Sequence, residues 1–457
     1  MPTGSDPIYL PELREMLATE NVDEMREFCQ ALHPVRAAEF MDGLEPPEIW
    51  AILKNAEQET AAEIFSYFDE SLQVDIFEAA PRDEIAEFIE LLPSDDRVDV
   101  LQSTDKDVVA ELMPLVDNED RRDIQRLSAF ADGTCGAEMT TDFVRLRENM
   151  TIEEALQEIG RQTSEIETVY YLYVVDHNDH LVGLVSARQL LTAMGRPLTP
   201  IRDLMERDLI TVRADEDREV AAKEVARFDF LAIPVVDTEH RMLGIITHDD
   251  VLDVMVEELT EDAQRSAAVE PLSESYLDTS PFLLARKRIV WLVLLFFGSI
   301  LTAYALKGFD KITTSITWLI VFLPMVISTG GNTGGQSVAL ITTALSTGEV
   351  TTRDWWRVLV REIISGLILA VSMGLCGLAC VYIVWPGDVG HWYELLVVPV
   401  AVTCVVFSGG LIGSMLPILF RWLGWDPALM STPFVAGIED VLGTIIYLSI
   451  AAFFLMR

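Results

Sequence analysis

The sequence Ile312–Gly348, ITTSITWLIVFLPMVISTGGNTGGQSVALITTALSTG, contains no charged residue in 37 positions. A membrane-spanning helix needs about 20 apolar residues, whereas 37 residues of straight helix would extend roughly 55 Å. The stretch is therefore either two membrane spans or one long helix with a break. Both alternatives make this chain a membrane protein.

Four more apolar runs lie in the C-terminal part, so that the set is Ile289–Leu306, Ile312–Leu345, Ile363–Trp385, Leu395–Phe420 and Thr432–Met456. Basic residues prefer the cytoplasmic side of a membrane. Five spans after a cytoplasmic N-terminus keep most of them inside, namely Arg286, Lys287, Arg288, Arg353, Arg357, Arg361 and Arg421. Six spans would move the Arg353–Arg361 cluster and Arg421 outside. We therefore predict five spans in the cell (inner) membrane, with the C-terminus outside.

Charge divides the chain at the same place. Residues 1–285 hold 64 acidic and 23 basic residues, whereas residues 286–457 hold 9 and 10. Such an asymmetry excludes a single globular domain, and the acidic surface excludes a nucleic-acid binder because it repels phosphate. The first 30 residues are polar and acidic, so we expect no cleavable signal peptide.

Residues 1–130 are predicted to form a cytoplasmic helical domain. Short segments that mix acids with apolar residues are separated by turn residues, for example at Arg36–Met41, Thr60–Phe68, Asp83–Leu92, Asp96–Leu101 and Asp107–Val116. Helices of this length are not stable alone. We expect them to stack as a small superhelical solenoid.

An internal repeat follows. YVVDHNDHLVGLVSARQLL at Tyr173–Leu191 matches PVVDTEHRMLGIITHDDVL at Pro234–Leu252 with an offset of 61 residues. Each copy predicts strand, turn, strand and helix, and the pair resembles tandem CBS domains, with an α/β fold, over 138–200 and 201–259. That resemblance implies a regulatory module that binds adenine nucleotides in some proteins and is a ligand-free scaffold in others. For ATP, Tyr170 and Phe230 are the candidate base-stacking residues.

Residues 260–285 join this pair to the membrane part, which is predicted over 286–457. Pro271 and Pro281 interrupt the segment. We predict a connecting helix here that lies at the membrane surface and transmits movement.

The segment Ser328–Ser337, STGGNTGGQS, places four glycines in six residues at membrane depth. Non-helical backbone is tolerated there only where it is buried in protein or lines a wet cavity. Freed carbonyls with Asn332 and Gln336 would suit a hydrated cation. The alternative is close helix packing through small residues. We favour a pore lining.

Glu439 and Asp440 lie within the last apolar run. Asp440 is about 12 Å along the helix from Thr432, near the middle of a core of roughly 30 Å. Charges at that depth are costly and typically mark an ion or proton path. The alternative is a protonated carboxyl bonded to a neighbouring helix. Adjacent residues diverge by about 100°, so only one of the two should face a pathway.

The run Asp249–Asp262, DDVLDVMVEELTED, contains seven acids in 14 positions. Like charges one turn apart destabilise a helix unless cations are present. The run therefore predicts a cation-binding surface. A salt-adapted acidic surface is the alternative.

The order of these domains is similar to that of the MgtE family of magnesium channels and transporters. GGNTGGQS in the second run, RDWWR before the third and WDPALMSTPFVAGIEDVLGTIIY at the last carry the resemblance. It implies a homodimer in the lipid bilayer with its pore on the two-fold axis. It also implies a central Mg²⁺ site formed by Asp440, the carbonyl of Ala436 and Asn332. Many members have Asn at the position of Gly335.

The resemblance further implies cytoplasmic acids that hold regulatory Mg²⁺ between the domains. By motif these are Asp96, Asp99, Asp217, Glu219, Asp229, Asp250, Asp253, Glu258, Glu261 and Asp262. The expected function is Mg²⁺ transport that cytoplasmic Mg²⁺ closes by bridging the acidic domains. The alternatives are transport of another divalent cation such as Co²⁺ or Mn²⁺, or a membrane sensor that conducts nothing. The sequence contains no assembled nucleophile or acid–base pair, so we do not expect an enzyme.

Overall fold

The computed structural model describes residues 10–162, 166, 168–272, 276–277, 279–384 and 393–455. These residues divide into two compact units, with the boundary in the sequence between Val256 and Glu257. The first unit contains the acidic part of the chain. The second contains the apolar helices.

Ten short helices begin the first unit: α1 (Leu10–Ala18), α2 (Val22–Ala31), α3 (Pro34–Met41), α4 (Pro46–Leu53), α5 (Gln58–Ser66), α6 (Glu70–Ala79), α7 (Arg82–Ile89), α8 (Ser94–Ser103), α9 (Lys106–Leu112) and α10 (Asn118–Leu127). Proline in the first turn starts α3 and α4, and the side chains of Asn21, Asp105 and Asp117 cap α2, α9 and α10. None of these helices has enough turns to be stable alone, so packing holds them.

Aromatic rings form the centre of that packing. Phe65 contacts Phe77 and Phe88 at centroid distances of 5.3 Å, and Trp50 meets Phe88 edge-on at 5.2 Å. All four side chains are buried. Burial of such rings contributes much of the apolar stabilisation that offsets the cost of ordering short helices.

Two copies of one α/β motif complete the first unit. The first copy contains β1 (Phe143–Arg147), α11 (Ile152–Gln162), β2 (Thr168–Val175), β3 (Leu181–Ser186) and α12 (Ala187–Ala193). The second contains β4 (Val212–Arg213), α13 (Arg218–Phe228), β5 (Ala232–Val236), β6 (Met242–Thr247) and the start of α14 (His248–Ser266). In each copy the first strand is parallel to the second, and the second is antiparallel to the third.

The strands of the two sheets pair in the same register. Val174 pairs with Gly183 in the first copy, and Val235 pairs with Gly244 in the second. The residues of the second pair follow those of the first pair by the offset of the sequence repeat. The predicted strand, turn and strand therefore form in both copies. A carbon on Gly244 would lie 2.6 Å from the carbonyl oxygen of Thr140, which explains why this strand position holds no side chain.

The predicted connecting helix over 260–285 differs from the observed segment. Its first residues are the end of α14, which runs without interruption from the second α/β motif to Ser266, and Pro281 already starts the first apolar helix. Ala268 ends α14 in the left-handed conformation (φ 60°), with Val269 N–H donating to Gln264 O. This is the hydrogen-bond pattern of a helix C-cap, and it stops the helix before Pro271.

The second unit contains the end of α14 and the helices α15 (Pro281–Gly308), α16 (Asp310–Ser315), α17 (Trp318–Ser346), α18 (Trp355–Val384), α19 (Val397–Trp422) and α20 (Thr432–Leu455). Four helical segments in the described residues are long and apolar enough to cross a membrane: Pro281–Gly308, Thr352–Val384, Glu394–Trp422 and Thr432–Leu455. The uncharged α17 is similarly long, but its glycines, amides and hydroxyls make it less apolar.

The second apolar run is interrupted at Ile316 and Thr317, between α16 and α17, whereas the break that we expected at the glycine-rich segment does not form. α17 is continuous over 29 residues, through Pro324 and all four glycines. A continuous helix satisfies its own backbone hydrogen bonds at membrane depth, and the glycines serve instead for close packing. Because α17 is one continuous helix, it also excludes the alternative of two spans within this run. Deep in the unit, Tyr447 Oη of α20 donates to Leu319 O of α17 at 2.9 Å.

Candidate functional site

The glycine face of α17 packs directly against α19 and α20. A side-chain carbon at Gly409 would lie 2.5 Å from the carbonyl oxygen of Gly330, and one at Gly334 would lie 2.9 Å from Val435 Cγ1. The helices can approach this closely only because these positions carry no side chain. Sequence reasoning singled out the glycines of α17 but missed their partners Gly409 and Gly413, although a glycine-xxx-glycine spacing in α19 was the available signal.

Another face of α17 carries the two amide side chains. Asn332 and Gln336 are exposed in the single chain and lie one turn apart. Gly331, beside Asn332, faces Ala436 of α20, since a carbon at Gly331 would lie 3.4 Å from Ala436 Cβ. The predicted pore residues Asn332 and Ala436 are therefore on adjacent parts of two packed helices.

Asp440 lies one turn beyond Ala436 on α20. Both residues are half-buried in the single chain. The main-chain carbonyl of Asp440 accepts a hydrogen bond from Thr444 Oγ1 at 2.6 Å. Because Asp440 is half-buried, the residue is partly exposed on the surface of an apolar helix. A lipid environment strongly disfavours a carboxyl group in that position.

Gly335 faces away from this polar surface. A carbon there would lie 2.7 Å from Thr432 Cγ2. The backbone at this position is therefore packed against the start of α20. A side chain at 335 would require these helices to separate.

Glu439 occupies an environment different from that of Asp440. Its side chain is 0% exposed, and Oε2 accepts a hydrogen bond from Ser408 Oγ of α19 at 3.3 Å. Oε1 is buried without a hydrogen-bond partner among the residues that the structure describes. The two adjacent acids thus point to different sides of α20, one between helices and one toward its partly exposed face.

A further acid in the apolar helices was missed by sequence reasoning. Glu362 of α18 is half-buried, and its Oε2 accepts a hydrogen bond from Ser337 Oγ of α17 at 3.2 Å. A single glutamate that follows Arg361 at the start of an apolar run was the signal. The bond links α18 to the end of the glycine-rich segment.

In the first unit, the start of α8 lies beside the start of α14. Asp96 Oδ2 accepts a hydrogen bond from Ser66 Oγ at 2.6 Å. Burial raises the pKa of Asp96, and the negative charges of Asp249 and Asp253 raise it further. The Asp96 carboxyl therefore lies within electrostatic reach of Asp249 and Asp253 in the acidic run.

Asp250 is also a helix-capping residue. It accepts bonds from both N–H and Oγ1 of Thr247, so its carboxylate fixes the start of α14. Burial raises its pKa to about 6, with Asp249 and Asp96 adding to the shift. The cost of this charge cluster would fall if a divalent cation were shared among the carboxylates.

The other predicted sensing acids have local partners or backbone roles. Asp217 caps α13, Glu219 pairs with Lys223 at 2.7 Å, and Asp229 ends α13 in the left-handed conformation. Glu261 pairs with Arg265 on α14. Asp99, Asp253, Glu258 and Asp262 also have interaction partners. In the part of the chain that the structure describes, no three metal-ligating side chains converge.

The two candidate nucleotide-stacking residues differ in exposure. Tyr170 of β2 is 60% exposed. Phe230 is partly buried and stacks on Phe228 with a centroid distance of 5.4 Å and an interplanar angle of 15°. Tyr170 therefore offers an open ring face, whereas Phe230 already has an aromatic partner.

Three family models match the chain in the predicted order. The model of the MgtE intracellular N domain matches residues 32–133, CBS domains match 135–196 and 201–257, and the MgtE divalent cation transporter domain matches 323–450. The solved soluble part of a magnesium transporter is 32% identical, with a TM-score of 0.51, over 54% of this chain and 97% of that one. The ATP-bound cytosolic domain of the Mg²⁺ channel MgtE is 34% identical, with a TM-score of 0.50, over 53% and 98%.

Relatives that match over more than two thirds of both chains give the same assignment. The magnesium transporter MgtE of Thermus thermophilus is 40% identical over 328 residues, which cover 72% of this chain and 71% of that protein. The MgtE proteins of Enterococcus faecalis and Bacillus subtilis are 34% and 31% identical, each over 73% of this chain and over 71% and 72% of the relatives. The predicted family and the predicted fold, a helical domain, a CBS pair and an apolar helical region, are confirmed: the chain belongs to the MgtE family of magnesium transporters.

Proposed function

We propose that this chain transports Mg²⁺ across the membrane along a path lined by the polar face of α17 and by Asp440 of α20. The observation that carries the proposal is the half-buried Asp440 on an apolar helix, one turn from Ala436, which packs against Gly331 beside Asn332. Mg²⁺ prefers six oxygen ligands and loses water reluctantly. One carboxylate with carbonyl and amide oxygens can hold the ion while most of its water remains.

The pathway is completed by a second copy of the chain. In one copy, Asn332 and Gln336 are exposed and Asp440 is half-buried, so these polar groups would otherwise face lipid. Burying a carboxylate in hydrocarbon is costly, whereas a homodimer with this face on its two-fold axis encloses it in a wet pore. Symmetry then supplies a second carboxylate to the same ion.

Cytoplasmic Mg²⁺ regulates the pore. The proximity of Asp96 to Asp249 and Asp253 supports a cation bridge between the helical domain and α14. At low Mg²⁺ the acids repel each other, and at high Mg²⁺ the ion holds them together. This is a coupling between two kinds of cation site through one two-state element. The regulatory set remains Asp96, Asp99, Asp217, Glu219, Asp229, Asp250, Asp253, Glu258, Glu261 and Asp262.

The orientation follows from charge. Five spans with a cytoplasmic N-terminus and an external C-terminus keep the Arg353–Arg361 cluster inside. The ion pair between Arg265, near the end of α14, and Asp426, in the loop before α20, supports this arrangement because it requires that loop to lie on the side of α14.

ATP is a second ligand of the CBS pair. The solved relative that contains ATP supports this role, and the open ring of Tyr170 offers a stacking surface for adenine. Calorimetry of the soluble part with ATP, with and without Mg²⁺, tests it. Heat that is lost in Tyr170→Ala supports the assignment, and the absence of heat in the wild-type protein removes it.

Flux from purified protein in liposomes tests the main proposal. We expect Mg²⁺ influx that falls as Mg²⁺ on the cytoplasmic side rises. Equal flux of Co²⁺ or Mn²⁺ in competition would identify a broader divalent-cation transporter. No flux of any divalent cation would favour a sensor that conducts nothing.

A further inference from the structure

Arg265 links two parts of the second unit that are far apart in sequence. Its Nη1 lies 2.7 Å from Asp426 Oδ2, and its Nη2 pairs with Glu261 one turn earlier on α14. The side chains of Arg265 and Asp426 are each about one-third exposed. A guanidinium shared by two carboxylates is held by charge-assisted bonds and has a defined direction.

Asp426 begins the segment that caps α20. Its carbonyl accepts from Leu429 N–H at 3.3 Å, and the buried Ser431 bonds through Oγ and O to Phe434 N–H and Val435 N–H. Met430 between them is also buried. The segment is therefore an ordered connection, and a displacement at Asp426 acts on the first turn of the helix that carries Asp440.

The end of α14 is equally well anchored. Leu272 N–H donates to Gln264 Oε1 at 2.7 Å, Glu270 N–H donates to Lys287 O at 3.3 Å, and Lys287 Nζ donates to Pro271 O. These bonds tie the turn after α14 to the first turns of α15. Arg265 therefore projects from a fixed helix end rather than from a free terminus.

We propose that Arg265 is the coupling residue between α14 and the pore helix, because its ion pair with Asp426 makes the position of α20 depend on that of α14. The proposal rests on the proposed function and adds to it the residue that transmits regulation. Arg265 touches no transported ion, so its role is positional. Loss of the pair should separate transport from its inhibition by cytoplasmic Mg²⁺.

A charge exchange in the full chain tests this. In liposomes we expect Arg265→Glu and Asp426→Arg to keep maximal Mg²⁺ flux, and each to raise the half-inhibiting cytoplasmic Mg²⁺ concentration by about tenfold. The double exchange, Arg265→Glu with Asp426→Arg, should return it to within about threefold of wild type. Arg161→Glu, which removes an exposed ion pair with Glu158 in α11, is the matched control and should change nothing.

A second measurement distinguishes loss of the ion pair from loss of its coupling role. Melting of the full chain in detergent should show that each single exchange lowers the melting temperature by about 2–4 °C and that the double exchange recovers it. Where the exchanged chain does not fold, Arg265→Gln and Asp426→Asn replace it and should raise the half-inhibiting Mg²⁺ concentration in the same way.

Wild-type inhibition in the single variants, or recovery of melting without recovery of inhibition, would overturn the coupling role. If the double exchange lowered the melting temperature by the sum of the two single effects, the ion pair itself would be overturned. A wild-type chain without Mg²⁺-inhibited flux would overturn the proposed function, and the coupling role with it, while the melting data would still report the pair.

Discussion

The carbonyl oxygen of Gly334 lies so close to Gly413 that any side-chain carbon at position 413 would overlap it. Gly334 belongs to α17 and Gly413 to α19, and the clash would be with backbone, which cannot rotate away. Helices in a membrane associate mainly through close packing of this kind. The contact therefore fixes the distance between the pore-lining helix and its neighbour.

Gly413→Ala should separate α17 from α19. We expect a loss of stability of about 1–3 kcal/mol, as for other overpacked sites, together with reduced Mg²⁺ flux. Melting of the full chain in detergent and flux in liposomes measure the two effects. Gly298→Ala in α15 is the control, since nothing lies within 4 Å of a carbon added there. Equal effects of the two substitutions would contradict a specific packing role.

Millimolar Mg²⁺ should protect residues 1–262 from proteolysis and heat more than NaCl of equal ionic strength does. The reason is the proximity of Asp96 to Asp249 and Asp253, whose repulsion a divalent cation relieves more effectively than screening does. Asp96→Asn should reduce the Mg²⁺-specific part, whereas Asp75→Asn at an exposed position of α6 should not. Equal protection by both salts would leave only generic screening and favour a salt-adapted surface.

Asp142 should make the stability of the same fragment depend on pH. It accepts a bond from Ser94 N–H at 3.1 Å and so caps α8, whose preceding residue, Pro93, has no acceptor side chain. Burial raises the pKa of Asp142 from 3.8 to about 6; Arg97 opposes this shift, and Asp123 and Asp120 add to it. The folded state thus holds the proton more tightly than the unfolded chain. This stabilising contribution is complete below the unfolded pKa and is lost as the pH rises through about 6.

Asp142→Asn keeps an acceptor for Ser94 without the buried charge. The variant should melt higher than wild type above pH 6, and the difference should shrink as the pH falls toward 4. Comparing the two proteins at each pH cancels the titration of Asp250, which also has a pKa of about 6. A difference that is constant across this range would show that Asp142 does not titrate there.

The sequence predicted those parts of the fold that depend on a regular pattern. The repeat at Tyr173 and Pro234 gave both CBS motifs because strand register repeats with the sequence. The apolar runs gave the long helices. The state of the glycine-rich segment was not predictable from composition, since glycine permits both an unwound backbone and close helix contact, and the deciding partners Gly409 and Gly413 lie in another helix.

The candidate site was predictable only in part, for a similar reason. An acid in an apolar run stands out, so Asp440 and Glu439 were visible in the sequence. Which of them faces another helix depends on the rotation of α20 about its axis. In the structure it is Glu439, which accepts a hydrogen bond from Ser408 of α19. The contacts of Arg265 with Asp426 and of Asp142 with Ser94 join residues 161 and 48 positions apart, and no local pattern records them.

A reporter fused after residue 455 should be found outside the cytoplasm. The expectation follows from the uninterrupted α17, which counts as one span, and from the basic cluster Arg353–Arg361 before α18. A second fusion in the loop at Trp425 should be cytoplasmic and serves as the internal control. A cytoplasmic reporter at the C-terminal site would contradict five spans.

Asp440→Asn should abolish or greatly weaken Mg²⁺ flux while folding and dimerisation persist. The amide keeps the shape and one acceptor oxygen but removes the charge that a divalent cation requires. Glu439→Gln should do less, because the Glu439 side chain is buried against Ser408 rather than on the partly exposed face. Flux in liposomes, with melting and size analysis of each variant, measures these effects. Normal flux in Asp440→Asn with lost flux in Glu439→Gln would reverse the two roles, and normal flux in both would show that the essential charge lies outside α20.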